Sequence, residues 1–231
     1  MRAIERTDQG DVSRIDGPEP GLGTGSEPES SAAPKQRRSD QTRTRILDAA
    51  EQIFGERGYY GASVIDVTKK AGVGLGTFYL YFPSKIEIYR HLLRSRQEEF
   101  ITESRRAYDG ATDQRAIVQV AFRAFFDWIG SRPAVLRLLR EAEFVDPTLL
   151  PDLYRTRAED LRDRLGRAME LGAIKETDPD VLAWCVMGMT EFVALRWLVW
   201  SGDKEIDPER FSSFAQVVSR ALGIEIEPAA K

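Results

Sequence analysis

Apolar residues recur every three or four positions through most of this sequence, which is the spacing of one face of a helix. Alternation of apolar and polar residues, the pattern of a strand, does not extend over any useful length. The pattern predicts an all-α fold. Beyond Ser84, it predicts helices over residues 85–108, 114–130, 133–144, 150–169, 179–200 and 208–222.

Two shorter helical patterns, broken by a glycine turn, lie between Ser63 and Lys85. Ser63 and Asp66 are spaced to form a capping box at the start of the first helix. Gly72 is placed to end that helix, and Pro83 ends a second helix over Leu75–Phe82. This arrangement predicts a helix-turn-helix, in which the second helix lies against DNA.

The second of these helices divides its aromatic residues between two faces. Phe78 and Phe82 are four residues apart and are expected to point inward, which leaves Thr77, Tyr79 and Tyr81 facing outward. Hydroxyl groups there could donate to phosphate oxygens, although Tyr81 could equally be a partly buried residue that steadies the head. Lys85, in the first turn of the next helix, is expected to bind an anion.

The residues around this motif resemble the DNA-binding head of the tetracycline-repressor (TetR) family. The resemblance covers residues 42–89 and is carried by TRILDAA at 44–50, FGERGY at 54–59 and AGV-x-x-G-T-x-Y-x-Y-F-x-S-K at 71–85. It implies a homodimer that binds an inverted-repeat DNA operator and a small-molecule effector. The implied DNA-binding residues are Thr44, Ser63, Gly74, Leu75, Gly76, Thr77, Tyr79, Tyr81 and Lys85.

The start of the recognition helix departs from the family pattern. Gly74, Leu75 and Gly76 stand where many members have a serine followed by a polar or basic residue. Few side chains can then form hydrogen bonds with bases. Close approach of the backbone, apolar contact with thymine methyl groups and DNA shape are expected to supply more of the specificity.

Charge and composition divide the chain into segments. The net charge is −4, yet residues 35–89 carry nine basic against six acidic residues, which suits a phosphate-binding head. Residues 1–34 are acidic and poor in large apolar residues. The expected organisation is a disordered, acidic-then-basic arm over 1–38, the DNA-binding domain over 39–89, a helical ligand-binding and dimerisation domain over 90–224, and a flexible tail over 225–231. The basic end of the arm could lie in the minor groove or serve as a linker.

The predicted body contains many large aromatic residues together with several ionisable groups. Such residues can form the walls and polar anchors of a ligand cavity, although core packing and internal ion pairs, such as Arg196 with Glu191, are alternatives. Two stretches, LREAEF-VDP and ALRWLVW, resemble family members that sense acyl-CoA or long apolar acids. The candidate ligand-binding residues are Phe122, Phe126, Arg140, Tyr154, Arg157, Trp184, Glu191, Phe192 and Arg196.

The segment from Val181 to Trp200 is apolar on nearly every side. A membrane span is disfavoured because Glu191 and Arg196 interrupt the run. A helix that is apolar all round is instead expected to pack on the core with one face and on a second subunit with the other. Together with the last helix, it predicts a homodimer interface and no membrane partner.

Catalysis, metal binding and cofactor binding have little support in the sequence. His91 is the single histidine and Cys185 the single cysteine, and both are expected to be structural, with Cys185 buried. One cysteine permits no internal disulfide, which fits a cytoplasmic protein. The sequence therefore predicts a ligand-responsive transcriptional repressor. The alternatives are a ligand-independent architectural DNA-binding protein and, with less support, a helical enzyme.

Overall fold

The computed structural model describes residues 32–109 and 114–224, and within those ranges the chain forms helices and no strands, as predicted. The predicted tail and the first 31 residues of the predicted arm lie outside the described residues. The helices are α1 Ala32–Gly61, α2 Val64–Ala71, α3 Leu75–Tyr81, α4 Lys85–Asp109, α5 Gln114–Ser131, α6 Pro133–Val145, α7 Leu149–Glu170, α8 Pro179–Ala194 and α9 Pro208–Ala221.

The first helix begins earlier than the sequence pattern indicated. Residues 32–38, which were expected to belong to an unfolded arm, form the first turns of α1. Pro34 lies in the first turn, where proline is tolerated, and the lysine, glutamine and arginines that follow it are strong helix formers. The basic residues before Ser39 therefore belong to α1.

The head is formed by α1, α2 and α3, and the predicted local signals define its turns. Ser63 Oγ accepts a hydrogen bond from Asp66 N–H at 3.1 Å, and Asp66 Oδ2 accepts one from Ser63 N–H at 3.1 Å, which completes the capping box. Gly72 ends α2 with a φ of 64°, a left-handed conformation that favours glycine. Phe78 and Phe82 are completely buried, which fixes the orientation of α3.

The body completes the apolar core of the head. Leu138 and Ala142 on α6, and Leu149 and Leu153 on α7, belong to the same buried cluster as the core residues of α1 to α4. The Tyr89 hydroxyl on α4 donates to the Leu138 carbonyl at 2.6 Å. Head and body are therefore packed together and are not joined only by a linker.

A glycine allows α1 to contact α6 closely. Gly58 interrupts α1 with a φ of 68°, and a Cβ at this position would lie 2.7 Å from Glu141 Oε1. The following amide, Tyr59 N–H, donates to Glu141 Oε2 at 2.7 Å. This contact ties the end of α1 to the middle of α6.

A second apolar cluster forms the core of the body, with contributions from α5, α6, α7, α8 and α9. Helix α8 continues into a π-helical turn, Leu195–Trp200. Among the described residues, the combined stretch Pro179–Trp200 is the one helix long and apolar enough to span a membrane, with a mean hydropathy of 1.4. Half of it is buried inside the body, so packing against the other helices accounts for much of its apolar character.

Candidate DNA-binding and ligand-binding sites

The outer face of α3 is mainly apolar. Leu75 and Tyr79 are about half exposed and Leu80 is 84% exposed. The Tyr79 hydroxyl makes no hydrogen bond to the described residues, so it is available to a phosphate. Leu80 was missed in the sequence analysis because an apolar residue beside two buried phenylalanines resembles a core position.

The two glycines of α3 leave an open surface. Gly74 is the N-cap residue of the helix, and a Cβ at Gly76 would meet no atom within 4 Å. Thr77, one position further along, is half-buried. The surface at Gly76 is therefore open, and close approach of DNA there stays a prediction.

Three of the predicted DNA-binding hydroxyls have partners inside the head. The Ser63 hydroxyl belongs to the capping box, and hydrogen bonding from Ser63 holds the pKa of the Asp66 carboxyl below its usual range. The Thr44 hydroxyl donates to the Asp40 carbonyl at 3.0 Å. The Tyr81 hydroxyl donates to Ser39 Oγ at 3.3 Å, which supports its role in steadying the head.

Lys85 also has an internal partner. Its ammonium donates to the Ala62 carbonyl at 2.7 Å and lies 4.4 Å from the centre of the Tyr59 ring. Burial lowers the pKa of Lys85, because a less polar environment disfavours the charged form. The lysine thus links the start of α4 to the end of α1, which the capping pattern alone could not reveal.

Arg45 is a structural residue of the head that the sequence analysis did not single out. Its guanidinium donates to the Ala71 carbonyl at 3.2 Å, close to the C-terminal end of α2. A positive charge at this end of a helix is favourable. Arg45 therefore supports the turn that orients α3 against α2.

The two residues considered for catalysis occupy different surroundings. His91 Nδ1 lies 3.1 Å from Arg43 Nη2, and burial together with Arg43 lowers the pKa of the imidazole. Cys185 is exposed, so the prediction that it is buried was wrong: it lies on the outer face of α8. Within residues 32–109 and 114–224, no three His, Cys, Asp or Glu side chains are grouped to hold a metal ion.

The body contains a cavity of about 70 Å³ between α4, α5, α7 and α8. Its walls are mainly apolar, and its polar residues include Ser104, Tyr108, Arg157, Arg164 and Thr190. Of the predicted ligand-binding residues, Phe122 and Arg157 line this cavity. A smaller cavity of about 30 Å³ lies beside it, lined mainly by apolar residues of α4, α5 and α6.

Arg157 lies at the centre of a small polar group. Its Nη1 is 3.8 Å from Glu191 Oε2, and the Tyr154 hydroxyl donates to Glu191 Oε1 at 2.5 Å. Burial lowers the pKa of the Arg157 guanidinium, whereas Glu191 opposes that shift. Burial and the neighbouring Glu191 both raise the pKa of Tyr154. The structure therefore brings together Tyr154, Arg157 and Glu191, and Glu191 pairs with Arg157 and not with Arg196.

The other predicted ligand-binding residues do not line this cavity. Phe126 is buried in the body core, where it packs edge-on against Phe211 and Phe214. The remaining four are exposed, because they lie on outward faces of α6 and α8 and in the π-helical turn: Arg140, Trp184, Phe192 and Arg196. The LREAEF stretch, residues 139–144, does not line the larger cavity either: Ala142 is buried in the head core, and Leu139 lines the smaller cavity.

Comparison with known proteins finds a family match in the head. Residues 46–92 match the sequence profile of the bacterial regulatory proteins of the tetR family. The regulator UidR of Escherichia coli is 27% identical over 191 residues, which is 81% of this chain and 94% of UidR. The head of this chain, residues 46–92, therefore matches the tetR family, and the similarity to a transcriptional regulator extends over most of the chain.

Two further proteins are similar to this chain. The transcriptional activator FasR of Mycolicibacterium smegmatis is 33% identical over 106 residues, which is 46% of this chain and 48% of FasR. The match thus spans about half the length of FasR. The fold is also that of the regulator FadR from Bacillus subtilis, whose structure was solved in complex with stearoyl-CoA; the TM-score is 0.66 at 21% identity, covering 79% of this chain and 99% of that one.

Gly76→Ala is expected to have opposite effects on stability and on DNA binding. It should stabilise the free protein by roughly 0.5–1 kcal/mol, because alanine is the better helix former and the added methyl meets no atom. It should weaken operator binding if DNA approaches the backbone at this position. Thermal unfolding and fluorescence anisotropy on operator DNA measure the two effects.

Gly166→Ala on α7 is the matched control for this measurement. A Cβ at Gly166 also meets nothing within 4 Å, but the residue lies in the body. Both variants should gain stability, and only Gly76→Ala should lose DNA affinity. Equal DNA affinity of the two variants would show that the glycine surface of α3 does not face DNA closely.

Proposed function

We propose that this protein is a dimeric, cytoplasmic repressor that leaves an inverted-repeat operator when a small apolar ligand, an acyl-CoA or a long-chain acid, binds in the body. The observation that carries this proposal is the cavity beside Arg157, where apolar walls surround polar side chains, Ser104, Arg164 and Thr190, that can bind an oxygen of such a ligand. The likeness to FadR, solved with stearoyl-CoA, supports the ligand class, and FasR is a relative by sequence.

On the head, we assign DNA contact to the exposed face of α3. Leu75 and Leu80 offer apolar contact to thymine methyl groups, while the glycines allow close approach of the backbone. Tyr79 offers a hydroxyl to a phosphate. Symmetry would place two copies of α3 about 34 Å apart, in successive major grooves of the operator.

Two helices connect the cavities to the head. Helix α4 carries Tyr89 in the head core and, further along, Ser104 and Tyr108 at the larger cavity. Helix α6 carries Leu136 at the smaller cavity and, two positions away, Leu138 in the head core. A ligand that alters the packing of either helix would tilt the head, with α4 acting as a lever.

Such coupling requires that the ligand binds one of two conformations of the protein more tightly than the other. The difference in binding free energy is typically about 1–3 kcal/mol. The expected consequence is that saturating stearoyl-CoA weakens operator binding by roughly 5- to 150-fold, whereas coenzyme A alone does not. Footprinting upstream of the protein's own coding region would locate the operator, and fluorescence anisotropy would measure the affinity.

The alternative functions predict other results in the same titration. An architectural protein would bind DNA with an affinity that saturating stearoyl-CoA leaves unchanged. An enzyme would convert the acyl-CoA, and mass spectrometry of the mixture would detect the product. Either result would contradict the proposed function.

The homodimer is assigned to the exposed apolar face of α8 and α9. Val181, Trp184 and Phe192 on α8 and Val217 on α9 are between 45% and 63% exposed. Gly188 lies between Trp184 and Phe192 along this face, and a Cβ there would meet no atom. A large, exposed apolar face of this kind is typical of an interface between subunits.

Phe192→Glu is expected to convert the dimer to a monomer, because it would place a charge in an apolar interface. The monomer fold should remain intact, since Phe192 is exposed in the single chain. Leu171→Glu is the control, because Leu171 is 70% exposed at the end of α7. Analytical ultracentrifugation measures the oligomeric state. If both variants remained dimeric, the assignment of this interface would be wrong.

A further inference from the structure

The two body cavities share a wall formed by two side chains. Phe125 on α5 and Arg157 on α7 each line both the larger and the smaller cavity. The guanidinium carbon of Arg157 lies 5.2 Å from the centre of the Phe125 ring and 5.9 Å from that of Phe100. Arg157 therefore packs against two aromatic rings at the boundary between the cavities.

Arg157 is held weakly for a buried arginine. It makes no hydrogen bond to any described residue, and its ion pair with Glu191 is long, at 3.8 Å. Arg164, two turns further along α7, also lines the larger cavity, but it donates to Ser104 Oγ at 3.1 Å and pairs with Asp160. Of these two arginines, only Arg157 can move without breaking a hydrogen bond to the described residues.

Neither cavity is large enough for a long acyl chain. Ligand pockets usually measure about 300–1,000 Å³, whereas these cavities measure about 70 and 30 Å³. Since Arg157 and Phe125 are the shared wall, the smallest change that enlarges the space is movement of the weakly held Arg157. Glu191, already 3.8 Å from the guanidinium, can pair with it more closely after displacement, and the Tyr154 hydroxyl holds Glu191 in place.

We propose that Arg157 is a movable partition that determines which acyl-chain lengths this protein accepts. A short chain occupies the larger cavity alone. A long chain displaces the guanidinium from the rings of Phe100 and Phe125 toward Glu191, so that the two cavities become one channel. This inference rests on the proposed function and adds to it the residue that sets ligand specificity.

The residues that line the two cavities indicate which end of the ligand each cavity binds. The larger cavity carries Ser104, Arg164 and Thr190, which suit the oxygen atoms at the acyl carbonyl end. The smaller cavity is lined by apolar residues such as Leu93, Ile129 and Leu136, apart from Gln97 and Arg157. The methyl end of a long chain therefore lies in the smaller cavity, against α6 and Trp128.

The test is the dependence of affinity on chain length, measured by calorimetry with butanoyl-, octanoyl-, dodecanoyl- and stearoyl-CoA. Arg157→Ala removes the partition and should raise the affinity for stearoyl-CoA relative to butanoyl-CoA by roughly tenfold. Glu191→Gln removes the charged partner of the displaced guanidinium and should lower the same ratio. Arg164→Ala is the control and should shift the affinities for all lengths equally.

A double variant controls for misfolding of Arg157→Ala. Because Arg157→Ala leaves Glu191 buried without its cation, the double variant Arg157→Ala with Glu191→Gln is measured beside it and should show the same raised ratio. An equal loss of affinity at every chain length in these variants would make Arg157 a fixed anchor and overturn the partition. Absence of binding of any acyl-CoA to the unaltered protein would overturn the proposed function as well.

Fluorescence locates the chain end independently. Stearate brominated at its terminal carbon should quench Trp128, which lines the smaller cavity, and the quenching should be lost in Trp128→Phe. Quenching that is identical in the two proteins, despite binding, would place the chain end elsewhere and contradict the joined channel.

Discussion

The architecture depends on the packing of α6 against the DNA-binding head. The head has one long helix and two short ones, α2 and α3, and so small a domain buries too little apolar surface to be stable by itself. In this protein the missing part of the core comes from the body, because Leu138 and Ala142 on α6 lie in the same buried cluster as Phe54 and Tyr89. Gly58 permits the close contact, and Glu141 satisfies the amide that this glycine exposes. The orientation of the head is therefore fixed by the body.

This shared core gives a physical basis for control of DNA binding from a distant site. Helices α4 and α6 each contribute side chains both to the head core and to the walls of the body cavities. Packed interiors do not deform smoothly, so a ligand that enlarges the cavities must be accommodated by discrete movements of these helices. Arg157 is the side chain that we propose to move, since it makes no hydrogen bond to a described residue and its ion pair with Glu191 is long, at 3.8 Å.

Features that depend on neighbouring residues could be predicted from the sequence, and features that depend on distant contacts could not. The Ser63 capping box, the turn at Gly72 and the burial of Phe78 follow from local spacing and were confirmed. The internal partner of Lys85 lies 23 residues away at Ala62, and the partner of Arg157 lies on another helix. The exposure of Phe192 and Cys185 could not be predicted either, because an apolar run does not indicate which of its faces packs against the body.

In the proposed function, ligand in the body changes the relative orientation of the two heads. The most direct measurement is the distance between spin labels at Lys70→Cys in the two subunits, in a Cys185→Ser background, by pulsed electron paramagnetic resonance. Lys70 is exposed on α2, and Cys185 is the only native cysteine. Saturating stearoyl-CoA should shift the distance distribution away from that of the operator-bound dimer. An unchanged distribution, under conditions where stearoyl-CoA is bound, would show that ligand does not reorient the heads.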